Sequence, residues 1–536
     1  MEVDCIPYKA TGYFSKIITD YLDGATEISP FYQYQPKIEA FEAAIKSKSN
    51  FSERQRKVLS TALSVQYKKD GIAIQKEALL SENIQALENS NAFTITTGHQ
   101  LCLFTGPIYF IYKIICTIKL CRQLTEKYPK SQFIPIYWMA SEDHDFAEIN
   151  HFHFKEKRFE WNTSQTGAVG KMSLEGLEKV FKSFESSLTP YSSNSEELKQ
   201  LFRDAYLKHS NLAAATRYIV HQLFKQYGLV IIDGDDCSLK TEFSAVMQEE
   251  LLLESTATLV ETQTKKLAEH YKVQVNPREI NLFYLKDTIR ERIVKNGDAY
   301  ALADSSSKFS KDELLEELQN YPERFSPNVI LRPLYQETIL PNLAYIGGGG
   351  ELAYWFQLKL VFEHFKTPMP ILLLRNSALF LAEKQSKYFK QLQINVKELF
   401  LKAGVLKKSW VVKNSKKDLK LSAEQAEIKT LYTKLASKSK SVDSTLFDHV
   451  KALETKHQKD LKQLSEKFIR VVRKNEDETM HKIDFLKNSL FPKDGLQERS
   501  MNFSDLYLIY GNQLIEILMD EFEMPTKDFH VFFDKK

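Results

Sequence analysis

Cysteine is scarce in this chain: five among 536 residues, at Cys5, Cys102, Cys116, Cys121 and Cys237, with no CxxC pair and no zinc-type grouping. That argues against a disulfide-stapled scaffold and a structural zinc module, and an odd number of thiols fits a reducing, cytoplasmic setting. Excess charge is missing too. Lys and Arg total 73 against 70 Asp and Glu, a net charge of +3, which gives no electrostatic footprint for nucleic acid. No apolar leader opens the chain, since MEVDCIPYKATGYFSK lacks the hydrophobic stretch that a secretion signal needs. The one long greasy segment, Leu101–Cys121, is interrupted by Gly106-Pro107, Lys113 and Lys119, and so reads as a buried helix and not a membrane span. GxGxxG, the Walker P-loop and the HxGH signature are all absent, so no nucleotide fingerprint can be claimed.

At this length one hydrophobic core is not enough, and two or more structural units are expected. Residues 93–154 are the most informative. Phe93–Thr97 is a short apolar strand, broken by the polar turn Thr97-Gly98-His99-Gln100. Pro107 suits a first helical turn, and Ile108, Ile111, Ile115, Ile118 and Cys121 then follow a period near 3.6. Ile134–Ala140 is a second buried strand, followed at once by Ser141-Glu142-Asp143-His144-Asp145. A βαβ unit of this kind brings two polar clusters to one edge of a parallel sheet. Tyr218–Gln226 reads as a helix stopped by Gly228, and Leu229–Ile232 and Ile371–Leu374 as further core strands. Val273–Val275 and Asn281–Leu285 are expected to pair around Asn276-Pro277. The fold class is therefore α/β, doubly wound.

The expected division is a core over 1–377 with insertions near 155–215 and 255–330, a helical arm over 378–490, and a tail over 491–536 that docks back on the core. In the arm, Leu446, Val450 and Leu453, then Leu461, Leu464, Phe468 and Val471, keep coiled-coil spacing with a stutter between the two runs. The basic stretch Lys407–Lys420 is the expected turn-back, with polar His457 and Asn475 near the seam, where a residue such as Asn475 either sets register or is tolerated at a wet position. Asp505–Asp520 reads as one closing helix. The alternation His151, Phe152, His153, Phe154 marks one strand face, not a metal site, and no metal ligands are assigned.

Four clusters can carry chemistry. Thr97, Gly98, His99 and Gln100, with Thr105 and Gly106, supply donors and close backbone approach for an anion at a helix start. Glu142, Asp143, His144 and Asp145 suit acid–base work, with the carboxylates raising the pKa of His144, orienting amines or holding Mg²⁺. Arg332 and Gln336, then Gly348, Glu351 and Tyr354 beside four consecutive glycines, suit a carboxylate ligand at a mobile loop. Lys493, Asp494, Gly495 and Arg499 form a basic glycine turn of the kind that binds phosphates.

TGHQ with TGP seven residues on, PIYWMASEDHDFAEINH, RPLYQETILPNLAYIGGGGELAYW and FPKDGLQER occur in this order from residue 97 to 499. In these the chain resembles the bacillithiol-biosynthesis cysteine-adding enzymes, the BshC family. The resemblance implies a Rossmann-like core with a long coiled coil, and a ligase joining the cysteine carboxylate to the amine of glucosaminyl-malate. In that reading His144 is the base, Asp143 or Asp145 orients it, and Arg332 holds malate carboxylates. Gly98, His99 and Gln100 face an anionic group, while Gly348 and Glu351 line the amine side. ATP or ADP with Mg²⁺ is the candidate cofactor, and the arm a candidate homodimer contact. The alternatives are an adenylate-forming or nucleotidylyl-transferring enzyme with another acceptor, and a non-catalytic dimeric protein that binds a nucleotide or thiol.

Overall fold

The computed structural model describes residues 1–155, 157–188 and 192–534. Its central sheet has five parallel strands: β1 (Ala92–His99), β2 (Gln132–Met139), β3 (Val230–Asp233), β4 (Asn342–Gly347) and β5 (Ile371–Leu374). Every residue of β1 and β4 is buried, as in a sheet covered on both faces. The spatial order is β3-β2-β1-β4-β5, so successive connections run one way from β1 and then reverse. That doubly wound order leaves a crevice outside the carboxyl ends of β1 and β4, where the direction switches. β1 runs through Gly98 and His99, beyond the expected Thr97, because its pairing continues to Trp138 and Met139 of β2. The turn starts at Gln100.

A polar stitch joins β1 to β4. The Thr94 and Thr96 hydroxyls donate to Asn342 Oδ1 (3.2 and 2.8 Å), and Asn342 Nδ2 donates to Glu337 Oε1 (2.7 Å), itself paired with buried Lys48. Every member has a partner, which is what makes polar atoms tolerable at this depth.

Helix α1 (Tyr109–Lys127) crosses from β1 to β2 and is buried on nearly all sides, not on one stripe. The tail explains this. Phe522 packs edge-on against Tyr112, Lys119 Nζ donates to the Met519 carbonyl (2.6 Å), and Ile108 N–H donates to the Met501 carbonyl (2.8 Å). The tail strand Asp528–Phe533 lies between Glu2–Pro7 and Ala378–Leu381 in a separate three-stranded sheet. The expected closing helix is two, Phe503–Tyr510 and Gln513–Glu521, broken at Gly511 with φ +56°.

The second insertion differs from expectation. Leu282–Lys286 pairs with Ile289–Asn296 and Phe325–Pro327 in an antiparallel sheet, while 273–275 forms no strand. The Gln357 side chain accepts the Gln274 and Val275 N–H groups (both 3.1 Å) and so replaces a strand neighbour. At the start of the first insertion, His151–Phe154 pairs antiparallel with Lys157–Glu160, with Phe152 and Phe154 turned inward.

The arm is an antiparallel pair, Ser422–Val442 and the unbroken Leu446–Lys474. Its reversal is at 443–445, where Asp443 Oδ1 accepts the Thr445 N–H (2.7 Å), and not within Lys407–Lys420. That basic stretch is largely helical (Ala403–Asn414). The helix buries Leu406 and Val411 while Lys407 and Lys408 reach Asp484 and Glu466. His457 does sit in the seam, taking the Tyr432 hydroxyl at 2.6 Å, whereas Asn475 only caps the end of Leu446–Lys474.

Arg375, just past β5, and Glu498 of the tail form a buried bidentate pair (3.1 and 2.7 Å). Removing one partner strands a charge out of water. Glu498→Ala should therefore cost about 3–5 kcal/mol in urea unfolding, and an effect under about 1 kcal/mol would mean the tail is not pinned by this pair.

Candidate active site at the sheet switch point

The carboxyl ends of β1, β2 and β4 open into a cavity of about 780 Å³, roofed by the antiparallel insertion. Two charged walls face each other across it.

The first wall follows β2. Glu142, Asp143, His144 and Glu148 line it, together with Gln100, whose amide donates to Asp143 Oδ2 (2.9 Å) and Glu148 Oε2 (2.7 Å). Asp143 Oδ1 takes the backbone N–H groups of His144 (2.7 Å) and Asp145 (3.2 Å). Burial works to raise the Asp143 pKa, but these hydrogen bonds outweigh it and keep the carboxyl below its ordinary value. Glu142 pairs with Lys240 (2.6 Å), a lysine buried completely between Glu142 and Asp235. Behind them, Ser141 donates to Asp233.

The second wall belongs to β4, β5 and the helices after them. Helix α2 (Arg332–Ile339) precedes β4, and α3 (Gly349–Trp355) follows it with Gly348 as N-cap. Glu351 Oε2 accepts the Gly348 N–H (2.7 Å) and meets Lys113 Nζ of α1 at 2.5 Å. Lys113 also donates to the Gly98 carbonyl (2.8 Å), and the Tyr345 hydroxyl donates to Glu351 Oε1 (3.0 Å). A Cβ on Gly98 would lie 3.4 Å from that hydroxyl, so the end of β1 fits a small residue best. Arg332 donates to Gln336 (3.1 Å) and to the Tyr354 hydroxyl (3.4 Å), with its guanidinium 5.5 Å from the Tyr345 ring centre. Neither hydrogen-bonding partner is charged, so this cation can take a ligand carboxylate. Arg375 and Arg499 line the same side.

His99 lies between the walls, stacked on Phe110 at 5.0 Å. Burial first, and then the Lys113 charge, push its pKa down to about 3. It is a neutral ring. His144 is also displaced, opposite to the expected direction. Burial and Arg290 lower its pKa more than Asp143 and Asp145 raise it. Arg290 Nη1 lies 2.6 Å from His144 Nδ1, whereas Asp143 Oδ1 is 3.7 Å away.

The cavity thus gathers Gly98, His99, Gln100, Glu142, Asp143, His144, Arg332, Gly348, Glu351, Tyr354 and Arg499. Other expected residues fall outside its lining. Thr97 is buried, its hydroxyl donating to the Ile346 carbonyl (2.8 Å). Thr105 and Gly106 precede a helix start that the tail covers, with Asn502 Nδ2 donating to the Gly106 carbonyl (2.7 Å). Gln336 is a core residue bonded to Glu337, and Asp145 is an exposed cap of the short helix Phe146–Ile149. Lys493, Asp494 and Gly495 form a surface turn away from the lining, and only Arg499 of that motif reaches it.

Sequence reasoning missed Lys113, Glu148, Arg290 and Arg375. A lysine amid the apolar residues of α1 was itself the signal for Lys113, because a buried lysine needs an acidic partner. Arg290 had none, as it sits on a half-exposed strand of an insertion.

A doubly wound sheet, a two-signed cleft at its switch point and an appended coiled coil define an α/β enzyme of the Rossmann-like type. Over residues 1–376 the chain matches the bacillithiol biosynthesis BshC N-terminal Rossmann-like domain, and over 378–533 the BshC C-terminal coiled-coil domain. It belongs to the BshC family of bacillithiol biosynthesis. Proteins described as "Putative cysteine ligase BshC" include one from Flavobacterium psychrophilum, 46% identical with 99% of each chain covered. One from Christiangramia forsetii is 44% identical, again over 99% of each chain. A more distant one from Lysinibacillus sphaericus is 28% identical over 95% of this chain and 96% of its own.

A neutral His99 has a consequence for stability. The unfolded chain takes up a proton on this histidine below about pH 6.5, but the folded protein does not until about 3. Folding stability should fall as pH drops through that window, and His99→Gln should flatten the fall. Urea unfolding from pH 7 to 4 checks it; equal slopes in both proteins would show that His99 protonates normally.

Proposed function

We propose that this protein is a cysteine ligase of bacillithiol biosynthesis and that the switch-point cleft is where cysteine is joined to glucosaminyl-malate. The observation that supports the reading is the opposition of charge across one cavity. Arg332, which has no carboxylate partner within ion-pair distance among the described residues, lines the same cavity as Asp143 and Glu148. Both substrates pair a carboxylate with an amine, so each needs a cation and an anion at a fixed separation. Arg332 takes the malate carboxylates, with Arg499 beside it. The Asp143 carboxylate, held ionised by its hydrogen bonds, orients the amine.

In the reaction the amine nitrogen forms a bond to the cysteine carboxyl carbon, and one carboxyl oxygen departs. Departure requires prior activation of that oxygen, for which ATP with Mg²⁺ is the proposed co-substrate. The oxygen then leaves on phosphate or on a nucleoside monophosphate. The attacking amine also gives up a proton. The proposed acceptor is Glu148, which lines the cavity and takes the Gln100 amide. The neutral His99 keeps the cleft between the walls apolar enough to strengthen these contacts.

Mass spectrometry of protein incubated with cysteine and glucosaminyl-malate, with and without ATP-Mg²⁺, tests this directly. A species at the mass of the condensed thiol, formed only with ATP, is the expected result; no product in either arm counts against the reading. Charge-assisted hydrogen bonds contribute about 1.5–3 kcal/mol, so Arg332→Met should raise the KM for glucosaminyl-malate by roughly ten- to a hundredfold. An unchanged KM would remove Arg332 from the malate site.

A further inference from the structure

Arg290 comes down from the roof of the cavity, on the strand Ile289–Asn296, and reaches the His144 ring on the opposite wall. Its guanidinium is packed 3.9 Å from the Phe283 ring centre and its other terminal nitrogen is 3.4 Å from the Ser326 hydroxyl. Phe283 also lies 5.4 Å from the His144 ring. The contact is thus built from three strands of one sheet, not from a loose side chain.

An arginine carries only donors and stays protonated at any working pH. A nitrogen 2.6 Å from Nη1 must therefore be the one with the lone pair, so His144 Nδ1 is unprotonated. A neutral imidazole then carries its hydrogen on Nε2. Such a ring offers the cavity an N–H, not a base.

We infer that Arg290 is a positioning residue that locks His144 as a neutral Nε2–H donor, and that His144 serves the ligase as a hydrogen-bond donor to the oxygen of the reacting carboxyl group. The chemistry favours this use. An N–H whose ring accepts a hydrogen bond from a guanidinium is polarised and donates more strongly. A donor fixed in advance at the oxygen that gains charge is worth most in the transition state. Neutral histidines with depressed pKa values act as electrophiles in this manner. The charged groups around the ring are consistent. Burial and Arg290 oppose protonation, and Asp143, Asp145 and Asp304 favour it without prevailing.

The inference deepens the ligase reading and rests on it for the substrate, but the tautomer can be measured without turnover. Nitrogen NMR on protein labelled at histidine, with the His144 signal assigned by its loss in His144→Gln, should show a bare Nδ1 and a protonated Nε2. Arg290→Gln should return that signal to the mixed tautomers of a free ring. A protonated Nδ1 in the wild type overturns the proposal whatever the assay shows. In the condensation assay, glutamine places an N–H close to the position of imidazole Nε2, while asparagine and alanine do not. His144→Gln should lose kcat by about tenfold, and His144→Ala and His144→Asn by on the order of a hundredfold or more, with the KM for cysteine little changed. If glutamine is as inactive as alanine in folded protein, His144 is a base and the proposal fails. If wild-type protein makes no condensed thiol, the ligase reading fails, and the NMR result still decides the state of the ring.

Discussion

One ion pair, between a buried lysine and a part-buried glutamate, organises the centre of this molecule. Lys113 and Glu351 meet at 2.5 Å where α1, β1, β4 and α3 converge, and each also satisfies backbone that would otherwise be orphaned. Lys113 takes up the last carbonyl of the Gly98 region, and Glu351 takes up the N-cap amide of α3 and the Tyr345 hydroxyl. Taking both charges from water is costly, and only full hydrogen bonding offsets it. The arrangement fixes the distance between β1 and the glycine turn after β4, and so the width of the crevice. It also sets the electrostatics nearby. Burial, reinforced by the same ammonium, keeps His99 neutral, and because Glu351 is tied to Lys113, Arg332 is left for a ligand.

The rest of the site is built outward from that point. The tail closes the far side of α1 and carries Glu498 to Arg375, so a guanidinium that lines the cavity is held from a segment remote in sequence. The insertion between β3 and β4 supplies the roof and, through Arg290, reaches the wall after β2. The two walls thus differ in origin and in sign. A cleft of this kind discriminates by the spacing of opposite charges, and low-dielectric walls around it amplify the discrimination.

Much of this was legible in the chain itself. Buried strands of β-branched and aromatic residues, separated by helical periodicity, implied the doubly wound core. Polar residues directly after Ile134–Ala140 and Phe93–Thr97 implied where the site would be. The motifs shared with the BshC family carried the chemistry. Where the structure departs from expectation, the reasons are physical. Thr97, Gln336 and the Thr105-Gly106 turn looked like ligand donors because their partners, the Ile346 carbonyl, Glu337 and Asn502, are not adjacent in sequence. The expectation that flanking acids raise the pKa of His144 is reversed in the structure. Burial and then Arg290 reverse the effect, and that arginine lies 146 residues later, a separation no local pattern reveals. The arm's turn was misplaced because lysine-rich Lys407–Lys420 resembles a loop until its pairing with Asp484 and Glu466 is seen.

The most direct test of the account is a crystal structure of the protein grown with the condensed thiol product. Density is expected in the switch-point cavity, with the malate carboxylates against Arg332 and the new amide nitrogen beside Asp143. Product bound elsewhere, on the arm or at the surface turn of Lys493, with this cavity left open, would contradict it.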